Sequence, residues 1–180
     1  MHASKLDFQF NLAPLQHTVL GPHQRYKKIQ KYARSLYGWP CPSETQTVSN
    51  SSDFIDQLPR TLVNQEEPIV LMLDLVADDV AMPVLPAHVD LNRTCAINVY
   101  LESNGEVTKF YDWDRSKRIS ILKDSICTQE KDVWLMDTTV PHSVDLVPNK
   151  RRRILTFSFT RMKYMEVLSC FTTKQSEKLM

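Results

Sequence analysis

The stretch Cys95-Ala96-Ile97-Asn98-Val99-Tyr100-Leu101-Glu102-Ser103-Asn104-Gly105-Glu106-Val107-Thr108-Lys109-Phe110-Tyr111-Asp112-Trp113 decides the fold class. Two alternating runs, rich in β-branched and aromatic residues, flank an Asn-Gly pair. Asn-Gly suits a two-residue type I′ turn, which needs positive φ at both central positions. The chain has only three glycines, and one of them stands here. A turn at Asn104-Gly105 sets Ser103 opposite Glu106, Leu101 opposite Thr108, Tyr100 opposite Lys109 and Val99 opposite Phe110. Directly opposed residues share a sheet face. One face then holds Cys95, Ile97, Val99, Leu101 and Phe110, a core surface for packing under helices. The other holds Ala96, Asn98, Tyr100, Lys109, Tyr111 and Trp113. Rings mixed with a few polar groups suit a pocket wall.

Working outward, the sequence from Pro68 to about Thr160 is strand-like. Residues 69–73, 95–101, 107–113, 119–122, 133–137 and 154–160 are predicted strands. Upstream, residues 6–10 alternate like a short strand. Residues 22–36 carry Tyr26, Ile29, Ala33 and Leu36 at helical spacing beside Lys27, Lys28, Lys31 and Arg34. Ser51-Ser52-Asp53 reads as a cap opening a short helix that runs to Leu62. Residues 165–171 suit a last strand or short helix, and 172–180 read as a frayed end. Helices followed by a run of strands predict an α+β, mainly β chain built on an antiparallel barrel or a double-sheet jelly roll. The 180 residues suit one domain. Residues 1–67 form its N-terminal support, 68–160 its core and 161–180 its tail.

Bulk chemistry narrows the function. With 22 basic and 21 acidic residues, the net charge is +1, which argues against a broad nucleic-acid surface. A basic run at Lys150-Arg151-Arg152-Arg153 is more simply a turn or strand end. The apolar stretch at 69–76 is broken by Asp74 and is too short to span a bilayer. The first residues lack the basic-then-apolar pattern of a secretory signal. Cys41, Cys95, Cys127 and Cys170 are scattered, with no Cys-x-x-Cys pair. A reducing, cytoplasmic setting is the expectation.

The strongest chemical pattern is Ala87-His88-Val89-Asp90, with a second histidine in Val140-Pro141-His142-Ser143. In extended chain, His88 and Asp90 project to one side. An antiparallel barrel can bring His142 to them. Two imidazoles and one carboxylate leave half of an octahedral ion open, the arrangement of non-haem iron(II) oxygenases. Those vacancies accommodate a chelating 2-oxo acid and dioxygen. Asp137 and Asp145 stand close enough in sequence to hold the other nitrogen of His142, although ordinary loop carboxylates are the simpler reading of one or both. Ten residues beyond His142, a basic cluster enters an alternating strand. An inward arginine there would bind a dicarboxylate through a two-pronged hydrogen-bonded pair.

His88-Val89-Asp90, His142 and the downstream arginine resemble the double-stranded β-helix (jelly-roll, cupin-like) 2-oxoglutarate/iron(II) oxygenases. The stretch from Ala87 through Arg93 to Leu101 is similar to the prolyl-hydroxylase type and to aspartyl/asparaginyl hydroxylases. The resemblance implies N-terminal helices packed on one sheet of such a core. It implies His88, Asp90 and His142 as catalytic iron(II) ligands, with iron and 2-oxoglutarate as cofactor and cosubstrate. One of Arg151, Arg152 and Arg153 would hold the far carboxylate. Spacing favours Arg152, which puts Ile154, Thr156 and Ser158 toward the pocket; Arg153 is the near alternative. Tyr100 and Asn98 would contact the cosubstrate, and Tyr111 and Trp113 would line the substrate pocket. The implied reaction is hydroxylation of a free or peptidyl amino-acid side chain by dioxygen. The competing expectation is a non-catalytic, cupin-like metal- or ligand-binding domain.

Overall fold

The computed structural model describes residues 1–22, 43–76, 84–90, 92–114 and 119–172. The helix expected at 22–36 lies outside the described residues, apart from Pro22. So do Cys41 and residues 173–180.

Eleven described strands form two antiparallel sheets. They are β1 (Ala3–Lys5), β2 (Leu20–Pro22), β3 (Ser43–Val48), β4 (Ile69–Val76), β5 (Val84–His88), β6 (Cys95–Glu102), β7 (Asn104–Asp114), β8 (Ile119–Gln129), β9 (Val133–Asp137), β10 (His142–Asp145) and β11 (Arg151–Phe159). The larger sheet runs β1-β9-β6-β11-β4-β3-β2, and the smaller β5-β10-β7-β8. From β4 onward the chain changes sheet at every connection except β7 to β8. This is the winding of a double-stranded β-helix, a jelly roll whose facing sheets enclose a cleft.

Burial explains why the larger sheet sits where it does. Strand β11 alternates Leu155, Phe157 and Phe159 with Ile154, Thr156 and Ser158. The large rings join Val70, Met72, Cys95, Ile97, Val99, Val133 and Leu135 in one cluster on the sheet's outer face. Three short helices cover it: α1 (Ser51–Ile55), α2 (Arg60–Val63) and α3 (Tyr164–Thr172). They contribute Phe54, Ile55, Leu62, Tyr164, Val167 and Cys170. Each fully buried large side chain stabilises the fold by about 1.5–3 kcal/mol. The helix expected up to Leu62 is two pieces, because Pro59 starts the second. Its N-cap is Asn50, just before the expected Ser51-Ser52-Asp53, and no side chain caps the helix.

Buried Glu66 locks α2 to the end of β11. Its carboxylate accepts from the backbone N–H groups of Thr160 (2.8 Å), Arg161 (3.1 Å) and Met162 (2.8 Å), and from the Thr160 hydroxyl (2.9 Å). Burial alone would raise its pKa. Those hydrogen bonds outweigh burial and hold it below the usual carboxylate range.

Residues 6–10 form no strand; β1 lies just before them. Phe8 and Phe10 instead dock on the core, Phe10 stacked on Phe157 at 4.9 Å between centroids. Their alternation reflects docking without sheet pairing. The segment at 165–171 resolves as a helix, α3. No described helix is long and apolar enough to cross a membrane.

The expected hairpin does not form. β6 pairs with β9 and β11, whereas β7 pairs with β8 and β10 in the opposite sheet. Ser103 is the crossing point. Of the Asn104-Gly105 pair, Gly105 alone takes a positive φ, at 85°, so the two-residue turn is absent. The register instead shifts between Asn104 and Val107. Glu106 holds the crossing: its carboxylate accepts from the Ser103 hydroxyl at 2.6 Å and the Asn104 N–H at 2.9 Å. The predicted faces change accordingly. β6 keeps its two faces as read, but on β7 it is Glu106, Thr108 and Phe110 that are buried. Phe110 packs with Ala3, Ile126 and Met136, apart from the helical layer.

Candidate metal centre

Register delivers the two histidines to each other. His88 ends β5 and His142 begins β10, and the two are direct Cα partners. Their rings share a face, with centroids 4.5 Å apart. Neither strand is among those predicted. β5 contains Pro86, which an edge strand tolerates because its outer N–H needs no ladder partner. Asp90 follows two residues after His88. Its N–H donates to the Thr138 carbonyl at 3.1 Å, and the Thr138 hydroxyl donates to the Arg93 carbonyl at 3.0 Å. The connector between β9 and β10 thus fixes where Asp90 sits. One ligand atom from each of His88, Asp90 and His142 lies within 4.8 Å of the others. His142 Nε2 is 3.9 Å from Asp90 Oδ2.

The electrostatics suit a cation ligand set. His142 is buried, and burial together with neighbouring His88 pushes its pKa down to about 4. It is therefore neutral at pH 7, as a metal ligand must be. Its Nδ1 lies 2.9 Å from the Val140 carbonyl. Donation there fixes the tautomer and turns the Nε2 lone pair toward Asp90. The two carboxylates near His142 in sequence do other things: Asp137 accepts from Thr139, and Asp145 pairs with Lys109 at 2.6 Å. Burial works to raise the pKa of Asp90, but Arg93, His142 and His88 together hold it below the usual range.

Arg93, which sequence reasoning gives no role, binds the carboxylate of this candidate ligand directly. Its Nε donates to Asp90 Oδ2 at 2.8 Å, and its Nη1 reaches the hydroxyls of Thr156 and Ser158, each at 3.3 Å. A basic residue three positions after a candidate ligand is the available signal.

The three consecutive arginines diverge. Arg151 clasps Asp74 with two hydrogen bonds at the surface. Arg152 turns inward and is 5% exposed. Its Nη2 donates to Tyr100 Oη at 3.2 Å and more weakly to Thr108 Oγ1 at 3.5 Å. Its guanidinium carbon lies 5.2 Å from the Tyr100 ring centroid. Its Nε is buried without a partner, and no described carboxylate pairs with it. Arg153 points to the outer face, beside a small cavity shared with Leu15, Thr18, Leu20 and Met72. The near alternative therefore stands on the wrong side of the sheet to meet the triad. Three arginines with three separate surroundings also make no basic surface run.

Asn98 and Tyr100 lie on the inner face of β6, opposite Thr156 and Ile154. Asn98 Nδ2 contacts the Met136 sulfur at 2.9 Å, and its Oδ1 is buried without a partner. Tyr111 is not on this wall. Alternation along β7, with Glu106, Thr108 and Phe110 buried, puts it on the other face, where its hydroxyl and that of Ser143 share a 2.8 Å hydrogen bond. Trp113 stands in β7 opposite Ser120, and its side chain is outside the described ones.

No protein-family model and no curated protein matches the chain. Solved structures do resemble it. Vicilin from hazelnut (Corylus avellana) matches with TM-score 0.41 and 13% identity over 67% of this chain, which spans 30% of that vicilin. A Pseudomonas putida prolyl-4-hydroxylase matches with TM-score 0.46 and 15% identity, covering 90% of this chain and 94% of that one. AviO1 from Streptomyces viridochromogenes matches with TM-score 0.46 and 9% identity, covering 89% and 90%. These likenesses transfer no residue role to this chain.

Proposed function

We propose that this chain is an iron(II)- and 2-oxoglutarate-dependent oxygenase that hydroxylates an amino-acid side chain, free or within a peptide. The observation that carries the reading is Arg152. A triad alone fits any cupin-like metal protein. A guanidinium this deeply buried, with one nitrogen unpartnered and no described carboxylate beside it, suits an anionic ligand; Arg153 Nε also lacks a partner, but it stands on the outer face. A buried charge is costly until it is paired. Arg152 lies on the inner face of β11, four residues from Thr156, which touches Arg93. The strand rise puts that separation at about 13 Å. A short dicarboxylate held at its far end by Arg152 would extend along this face toward the triad.

The residues present fit both groups. His88, Asp90 and His142 would hold iron(II) through two neutral imidazoles and one carboxylate, leaving one side of the ion free. Arg152 would pair with the distal carboxylate, Tyr100 and Thr108 would orient that guanidinium, and the Asn98 amide would supply a further polar contact. Iron(II) with 2-oxoglutarate and dioxygen supplies C–H hydroxylation coupled to release of succinate and CO2. The chain itself aims the reactants and excludes water. Apolar groups at either end of the cleft keep water out. Leu75, Leu85, Val144 and Leu146 form one buried cluster, and Ala3, Phe110, Ile126 and Met136 another.

The test is succinate formation from 2-oxoglutarate with added iron(II), in air and without it, across a panel of amino acids and short peptides. Oxygen-dependent succinate, abolished in His88→Ala and Asp90→Ala, supports the proposal. Metal binding with no succinate under any condition would instead identify a non-catalytic, cupin-like binding domain.

A further inference from the structure

We infer that Arg93 is a positioning residue that shares the charge of Asp90 and so keeps a bound metal ion receptive to an anionic co-ligand. The inference rests on reading His88, Asp90 and His142 as a metal site.

A carboxylate that serves as a metal ligand can donate through one oxygen or close over the ion with both. Arg93 constrains that choice. Its Nε takes up a lone pair of Asp90 Oδ2 at 2.8 Å. The guanidinium is itself latched, since Nη1 reaches Thr156 and Ser158 on β11 at 3.3 Å each. The pair is shielded, with 14% of the Arg93 side chain and 22% of the Asp90 side chain exposed. Asp90 is thereby braced from two sides: its N–H is tied to the connector after β9, and its carboxylate is tied through Arg93 to β11.

Two consequences point the same way. A braced, hydrogen-bonded carboxylate cannot swing freely to chelate, so a coordination position stays open. A carboxylate that already neutralises a guanidinium donates less charge to the ion. The divalent ion, Asp90 and Arg93 together carry two net positive charges; without Arg93 they carry one. An anion entering the open positions meets a more electropositive centre when Arg93 is present. Thr156 and Ser158 acquire a reason for being hydroxyl residues in a strand whose other face is Leu155, Phe157 and Phe159.

Cobalt(II) and azide test this without turnover. Cobalt(II) reports on its ligands through its visible spectrum, and azide is a small anion that needs no arginine at the far end of the cleft. At saturating cobalt(II), azide should bind Arg93→Met about 10- to 100-fold more weakly than wild type, the order expected for removing one nearby positive charge at an effective dielectric of about 20. Arg93→Lys, which keeps the charge, should recover part of that loss. Should Arg93→Met fail to fold, Thr156→Val/Ser158→Ala unlatches the guanidinium without deleting it and should also weaken azide. A bracing role in the fold alone would lower the melting temperature and leave azide affinity and the cobalt spectrum unmoved. Equal azide affinity in wild type and in the folded variants overturns the inference and spares the metal site. Failure of wild type to bind cobalt(II) at all overturns the metal reading, and this inference with it.

Discussion

Replacing Arg152 with methionine should cost the protein most of its affinity for 2-oxoglutarate while leaving the metal site intact. Truncating one partner of a buried, hydrogen-bonded charge pair costs about 2–5 kcal/mol. At about 1.4 kcal/mol per tenfold, that range is about 30- to 3,000-fold in dissociation constant. Tyr100 and Thr108 remain to donate to the carboxylate, which places the expected loss in the lower part, about 30- to 300-fold. Stability should respond in the opposite sense. Arg152 is buried without an anion among the described residues. Methionine of similar reach removes an uncompensated charge, so the metal-free melting temperature should hold or rise. The assay is anaerobic calorimetric titration of the iron(II)-loaded protein with 2-oxoglutarate and, separately, with pyruvate, which lacks the distal carboxylate. Wild type and Arg152→Met should differ for the first and agree for the second. Arg153→Met should match wild type for both, because that side chain faces the outer cavity. Wild-type 2-oxoglutarate affinity in Arg152→Met, or its loss in Arg153→Met instead, would refute the reasoning.

Three further outcomes follow from the same geometry. His142 is pushed down to about 4 in the metal-free fold, against 6.5 in the unfolded chain. Between those values the unfolded state binds the extra proton, so stability falls as pH drops through about 6.5 to 4, by at most about 3 kcal/mol. Urea melts of the metal-free protein should show this slope, and His142→Gln should flatten it; an equal slope in both contradicts the assignment. Glu66→Gln gives up a charged acceptor of four donor groups and should lower stability at pH 7 by about 2–3 kcal/mol. Because the Glu66 pKa is depressed, that difference should vanish as pH falls below the usual carboxylate range, while cobalt(II) affinity stays within about twofold at any pH where both are folded. Among the described cysteines, exposed Cys127 should react first with a thiol reagent. Cys95, whose thiol burial pushes up to about 12, should react only on unfolding.

The triad is legible in the sequence because its residue types and spacing carry chemistry, and because parity along an extended chain is simple. Arg152 follows from the same parity, once β11 is read with its large rings outward. The expected hairpin fails for a physical reason. Asn-Gly states a local preference, and this chain uses it where β6 hands over to the opposite sheet. Tertiary pairing of β6 with β9 and β11 outweighs it. β5 and β10 escape sequence reasoning because one contains Pro86 and the other has only four residues, too few for alternation to register. Pairing β7 with β6 in a hairpin assigns Tyr111 to the cleft; β7 pairs instead with β8 and β10, and its two faces are exchanged. Arg93 is silent in the sequence because a salt-bridge spacing of three says nothing by itself about which carboxylate is a metal ligand.

The most direct test of the account is whether three side chains hold one ion. Calorimetric titration of the purified protein with iron(II) under argon should give one site per chain in wild type. That site should be lost in each of His88→Ala, Asp90→Ala and His142→Ala, with folded circular dichroism retained. Adding 2-oxoglutarate to the wild-type complex should then produce the visible charge-transfer band of a chelated 2-oxo acid. Iron(II) uptake that survives loss of either histidine unchanged, or no uptake by wild type, would contradict the account at its root.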